Sequence, residues 1–310
     1  MKNRIYKFLV ISLIVSCLYV SCREDELGDS IFDPEAPELN ENSFTYNLDK
    51  FCVENFREPY NMQFMYKLSD VGSNMTYNVI PTSFLNSKKM AALVKYLWYD
   101  SYLDVTNSRF LKENSPRILH LIGCAQINPF SGTEVLGFAE GGVKVTLTKV
   151  NEINENDHKN LEKYFHTMHH EFLHILNQKK TFPREFNLIS TKYEVEWQKR
   201  DPLSAACLGF VTPYAGSSIS EDIAETFAVY IVWSKSDWDK LLYDASLGVG
   251  PDWEGEDGVE IILKKLNLVK EWFADSWNID IDKLREAVHN RISYVNADFV
   301  KELLIEYGIE

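Results

Sequence analysis

His170, Glu171 and His174 stand in the spacing H-E-x-x-H, inside a stretch whose apolar residues recur every three or four positions. Leu161, Tyr164, Phe165, Met168, Phe172, Leu173, Ile175 and Leu176 make up that stripe, which predicts an amphipathic helix packed against a core. Histidines four apart project from one helical face, about 40° from each other, so both imidazoles can reach one tetrahedral metal. Glu171, one step after the first histidine, then stands beside a zinc-bound water as the base that takes its proton. Asn156 or Asp157 is the expected N-cap, and Pro183 limits the helix shortly after Lys179 and Lys180.

A catalytic zinc keeps three protein ligands and an open position, so a third ligand is expected downstream. Residues 218–230 predict a second helix, with Ile223, Phe227 and Tyr230 as its apolar stripe and Ala224 and Ala228 permitting close approach. Glu221 and Glu225 share one face of it, and either qualifies as the ligand while the other holds a histidine ring. Ser218 and Glu221 also form a capping box, in which the glutamate turns back to a backbone N–H. His169 points about 100° away from His170 and is expected in solvent or in a supporting role. His166, one turn earlier on nearly the same face, could line the cleft, but a packing histidine is expected. Asp222 sits in the first helical turn, where the dipole alone favours an acid, and is assigned no chemistry.

With these residues in place, the chain resembles gluzincin-type zinc metallopeptidases. It is similar to the zinc-binding metallopeptidase lipoproteins associated with nutrient import and, more distantly, to the catalytic domain of lethal-factor-type toxins. In those toxins a tyrosine precedes the glutamate ligand by seven residues and a second glutamate follows it by four. Tyr214, Glu221 and Glu225 stand at those intervals. The resemblance covers residues 161–230. It implies one zinc per chain on His170, His174 and Glu221, with Glu225 holding a ligand histidine and Tyr214 stabilising the oxyanion. Tyr193 and Tyr230 are rival donors, but aromatics at helical spacing usually belong to a core, which favours Tyr214.

The N-terminus carries Lys2, Arg4 and Lys7 before the apolar run of residues 8–15, then small residues up to Ser21 and Cys22. This is the pattern of a signal peptide over residues 1–21, of the lipoprotein kind. The run falls short of the roughly 20 apolar residues of a membrane span. Cys22 is the expected lipidation site. Cys17 is an alternative, but polar sequence begins directly after Cys22 with Arg23, Glu24, Asp25 and Glu26. That acidic stretch resembles signals that send lipoproteins to the outer face of the outer membrane. Residues 22–47, polar with Pro34 and Pro37, read as a tether.

The formal charge of −14 becomes −17 once the three basic residues of the signal peptide are removed. Nucleic acid is thereby excluded as a partner, because binding it needs clustered Lys and Arg. Cys52, Cys124 and Cys207 are too few for a disulfide scaffold, though one bridge could form.

Residues 48–310 read as one α+β, zincin-like domain in two lobes. In residues 48–180 a mixed sheet covers the metal helix, with strands expected at 62–68, 117–122 and 143–150 and a helix at 87–102. The strand at 143–150 alternates apolar and polar residues and is expected at the sheet edge, one face in solvent. Residues 181–310 are expected to be mainly helical, with helices near 235–245, 256–276 and 280–293 and at the C-terminus. The expected activity is hydrolysis of a protein or peptide substrate. Its expected setting is the cell surface, on a lipid anchor. The resemblance adds a TonB-linked outer-membrane import complex as partner. Alternatives are a non-catalytic zinc-containing binding lipoprotein and hydrolysis of a non-peptide bond.

Overall fold

The computed structural model of the chain describes residues 39–68, 78–127, 134–135, 137–140 and 143–310. The expected signal peptide, Cys22 and tether residues 22–38 lie outside the described residues. Helix α1 runs over Tyr46–Cys52 and continues through a π-helical turn, Val53–Arg57, to Glu58–Tyr60. Asn61 ends it in the left-handed region, at φ 55°, and strand β1 follows at Gln63–Met65. Helix α2 comprises Phe84–Leu93, a second π-helical turn at Val94–Tyr99, and Asp100–Val105. Helix α3 is Ser108–Asn114. Strands β2 (Ile118–Leu121), β3 (Gln126–Ile127), β4 (Glu134–Val135), β5 (Gly137–Glu140) and β6 (Lys144–Leu147) come next.

The H-E-x-x-H segment lies in helix α4, His158–Lys179. Asp157 caps it, accepting from the N–H groups of Lys159 and Asn160, which satisfies two of the donors that a helix start leaves open. Its apolar stripe is buried throughout, from Leu161 to Leu176. Short helix α5 is Pro202–Cys207, and helix α6, Ile219–Val232, starts at Ser218, whose hydroxyl accepts from the Glu221 N–H. The rest is helical: α7 (Lys235–Ala245), α8 (Gly258–Trp277), α9 (Ile281–Ile292) and α10 (Ala297–Glu306).

The sheet has the order β1-β2-β6-β5. Strands β1, β2 and β6 are parallel, with Leu119 opposite Val145, and β5 runs antiparallel to β6 with Phe138 opposite Thr146. The chain is therefore α+β, with the sheet near the N-terminal end and helices beyond it. One expectation is corrected: β6 is an interior strand, and β5 forms the edge among the described residues. Lys144 and Thr146 are buried as fully as Val145 and Leu147, so the alternation marks a strand covered on both faces, as parallel interior strands are.

Helix α4 packs under β5 and β6 on one side and against α6 on the other. Phe172 packs α4 against α2, its ring edge-on to Trp98 and Tyr102 at 5.0 and 5.2 Å. Phe227 of α6 stacks on Phe273 of α8 at 4.5 Å, which seats α6 on the C-terminal helices. Burying rings of this size contributes roughly 1.5–3 kcal/mol each and anchors α4 on α2 and α6 on α8.

Candidate metal centre

Three lone-pair donors meet where α4 and α6 face each other. His170 Nε2 lies 2.9 Å from Glu221 Oε2 and 3.1 Å from His174 Nε2, and His174 Nε2 lies 3.3 Å from the same oxygen. Donors placed tetrahedrally at about 2.0–2.1 Å from a zinc ion stand about 3.3 Å apart, so this triangle has the size of a zinc ligand set. Two imidazoles and a carboxylate are also the donor types that zinc takes. His170 Nδ1 is 2.8 Å from Glu225 Oε1 and must donate there, which leaves its Nε2 lone pair aimed at the other two donors. Lone pairs this close repel one another unless a proton or a cation stands among them. The residues fit a metal.

The field at the site has the sign a cation requires. Burial works against the charged form of His170, but the hydrogen bonds to Glu221 and Glu225 and the nearby Glu171 charge overcome it and raise its pKa to about 10. Burial likewise opposes ionisation of Glu221, and its bonds to His170 and His174 reverse this, holding it well below the usual carboxylate range. The same contest, won by His166 and His170, keeps Glu225 ionised. A pocket of carboxylates that favours a proton on His170 so strongly favours a divalent ion there as well.

Glu225 is a hub. One oxygen accepts from His170 Nδ1 and from His166 Nε2, the latter at 2.7 Å, and the other accepts from Thr212 Oγ1 at 2.6 Å. A carboxylate held by three donors fixes the tautomer and rotation of His170. His174 has a looser partner, Ser220 Oγ at 3.3 Å from Nδ1. His166, Glu225 and His170 also form a second trio of metal-ligand types. Their 2.7 and 2.8 Å contacts through one shared carboxylate oxygen are hydrogen-bond distances, so this trio reads as support for the first.

Glu171 is buried, and its charge acts on both His170 and Tyr214. Tyr214 opens a 3-10 turn, Tyr214–Ser217, and its ring stacks on His170 at 5.9 Å with 25° between the planes. Trp197 packs against the same tyrosine, ring centres 4.9 Å apart. Burial, then the charge of Glu221, pushes the Tyr214 phenol up, so it stays protonated and able to donate. The other two tyrosines are committed elsewhere: Tyr193 donates to Asp222 at 2.8 Å, and Tyr230 donates to Asp282.

The structure thus brings His170, His174, Glu221, Glu225, Glu171 and Tyr214 together. It departs from the sequence expectations at several neighbours. His166 bonds Glu225 and belongs to the site. His169 is wholly buried, with Tyr102 Oη 3.0 Å from its Nδ1, and burial drives its pKa down to about 3. Ser218 does cap Glu221 N–H, while the Glu221 carboxylate turns to the histidines and not back to the helix start. Asp222 is in a fully buried ion pair with Lys265. Thr212, Ser220 and Trp197 went unrecognised. The histidine repeat at 166, 170 and 174 was the available signal for His166; Thr212, Ser220 and Trp197 carry none.

A family model described as "Putative zinc-binding metallo-peptidase" matches residues 41–282 of the chain. Among solved structures, the chain is similar to the crystal structure of a putative zinc-binding metallo-peptidase from Bacteroides caccae, with 38% identity and a TM-score of 0.68. That likeness covers 83% of this chain and 93% of the other. No curated protein matches the chain.

Proposed function

The chain belongs to the putative zinc-binding metallo-peptidase family, and from that premise we propose that it is a gluzincin-type zinc peptidase with a zincin-like arrangement of sheet and metal helix. His170, His174 and Glu221 would hold one zinc, which supplies a Lewis acid for the scissile carbonyl and lowers a water's pKa to about 7. The observation that carries this reading is the convergence of those three donors, with a buried Glu171 whose charge acts on His170.

Glu171 takes the proton of the attacking water and passes it to the departing amine, since a carboxylate between the nucleophile and the leaving group can serve both steps. Tyr214 donates its hydroxyl to the carbonyl oxygen as that atom gains charge. Glu225, held by His166 and Thr212, keeps the His170 Nε2 lone pair pointed into the site.

The test is digestion of a mixed peptide library by the zinc-loaded chain, with products identified by mass spectrometry. New termini inside the peptides are expected, and their formation should stop when zinc is chelated. Tyr214→Phe should lower kcat about a hundredfold, as loss of one oxyanion donor does, with zinc content unchanged. A library left intact by the zinc-loaded chain overturns the peptidase reading.

We further propose that Cys22 carries a lipid and anchors the enzyme at the outer face of an outer membrane, beside an import complex. The support is the basic-apolar-cysteine order of residues 2–22 and the acidic run after it. Labelled palmitate should enter the full chain in cells and be lost with Cys22→Ala; equal labelling of that variant refutes the anchor.

A further inference from the structure

A buried ion pair stands behind the metal-facing side of α6. Asp222 and Lys265 are both fully buried, with the ammonium 2.6 Å from Oδ2. Asp222 lies about 100° around the helix from Glu221, so it points away from the histidines and toward α8. Tyr193 donates to the same Asp222 oxygen at 2.8 Å. Lys265 also donates to the Gly209 carbonyl at 2.8 Å, with its ammonium 4.2 Å from the centre of the Phe210 ring. Gly209 adopts φ +80°, and a Cβ there would meet Ile261 Cγ2 of α8 at 2.1 Å, so this segment is pressed against α8. Thr212 and Tyr214 follow within five residues.

The ion pair therefore joins four pieces of the site's surround: Lys265 of α8 holds the first turn of α6 and the segment leading to Tyr214, and Asp222 holds the Tyr193 loop. Such a pair adds little net stability, because removing two charges from water costs about what their attraction returns, and an apolar pair of similar volume often serves as well. What an ion pair supplies and an apolar pair does not is direction.

We propose that Lys265 is a positioning residue for the metal centre, fixing through Asp222 and Gly209 the turn that presents Glu221 and the segment that presents Thr212 and Tyr214. This rests on the reading of Glu221 as a metal ligand. The experiment measures zinc affinity by chelator competition, the visible spectrum of the cobalt-loaded chain, and the thermal midpoint. The chains compared are the parent, Glu221→Ala, Lys265→Met and the double variant Asp222→Asn/Lys265→Met. Lys265→Met should bind zinc about 10- to 100-fold more weakly, the usual effect of losing support behind a ligand, and should shift the cobalt bands.

The double variant strands no charge and should regain most of the lost thermal stability, yet still bind zinc at least about tenfold more weakly than the parent. Zinc affinity within twofold of the parent in either Lys265 variant, whatever the midpoint, overturns the proposal. Should Lys265→Met fail to fold, Tyr193→Phe removes one hydroxyl and leaves the pair; a shifted cobalt spectrum is expected, and an unchanged one overturns the proposal. Parent-like zinc binding in Glu221→Ala would instead overturn the ligand assignment.

Discussion

Replacing Glu171 by Gln is expected to cut peptide hydrolysis about a thousandfold to ten-thousandfold while zinc stays bound, near the upper range for loss of a general base. Gln keeps the shape of the side chain and its burial beside His170 and Tyr214, but it cannot accept a proton. The three donors that converge on the metal position are His170, His174 and Glu221, so nothing in the ligand triangle changes. The effect is large because the proposed mechanism gives one carboxylate two proton transfers, and both would fail together. Steady-state kcat/KM on a peptide cut by the parent, paired with elemental analysis of the same preparation, measures it. Hydrolysis within about tenfold of the parent would remove Glu171 from the mechanism, since a general base contributes at least about a hundredfold.

Glu221→Ala is expected to release the metal. Two imidazoles on one helix are then the only ligands left, and the site loses the carboxylate that neutralises part of the ion's charge. Zinc per chain after dialysis should fall from one to near zero. Glu225→Ala should keep zinc with an affinity about 10- to 100-fold weaker, because it removes the partner of His170 and no ligand. Linkage gives a second readout: zinc at about a thousand times its Kd stabilises a chain that binds it by about 4 kcal/mol. Added zinc should raise the melting temperature of the parent and leave that of Glu221→Ala unmoved. Equal zinc content in the parent and Glu221→Ala contradicts the ligand set.

The parts of this molecule that the sequence disclosed are those governed by local periodicity. Helix α4 follows from a stripe of eight apolar residues, and its start follows from Asp157; both appear within a few residues of the expected bounds. The helices at 235–245, 258–277 and 281–292 follow from the same 3.6-residue rhythm. Strand β6 was legible as a strand but not in its place. Alternation of Val145 and Leu147 with Lys144 and Thr146 looks the same whether the polar side meets water or protein, and here it is buried.

The site shows the same division. His170, Glu171 and His174 lie within five residues, and Glu221 and Glu225 are one turn apart, so helical geometry groups each set. Thr212 reaches Glu225 from a loop, and Lys265 reaches Asp222 across 43 residues of sequence. Neither contact has a spacing that a sequence can reveal. Asp222 illustrates the cost: an acid in a first helical turn has a sufficient local explanation, and only the fold shows that it is wholly buried against an ammonium.

The most direct measurement is an anomalous difference map at the zinc edge from a crystal of the zinc-loaded chain. The account predicts one peak, about 2.0–2.1 Å from His170 Nε2, His174 Nε2 and Glu221 Oε2, with an open fourth position toward Glu171 and Tyr214. A peak between His166 and Glu225, or a fourth protein ligand closing the coordination, would contradict it.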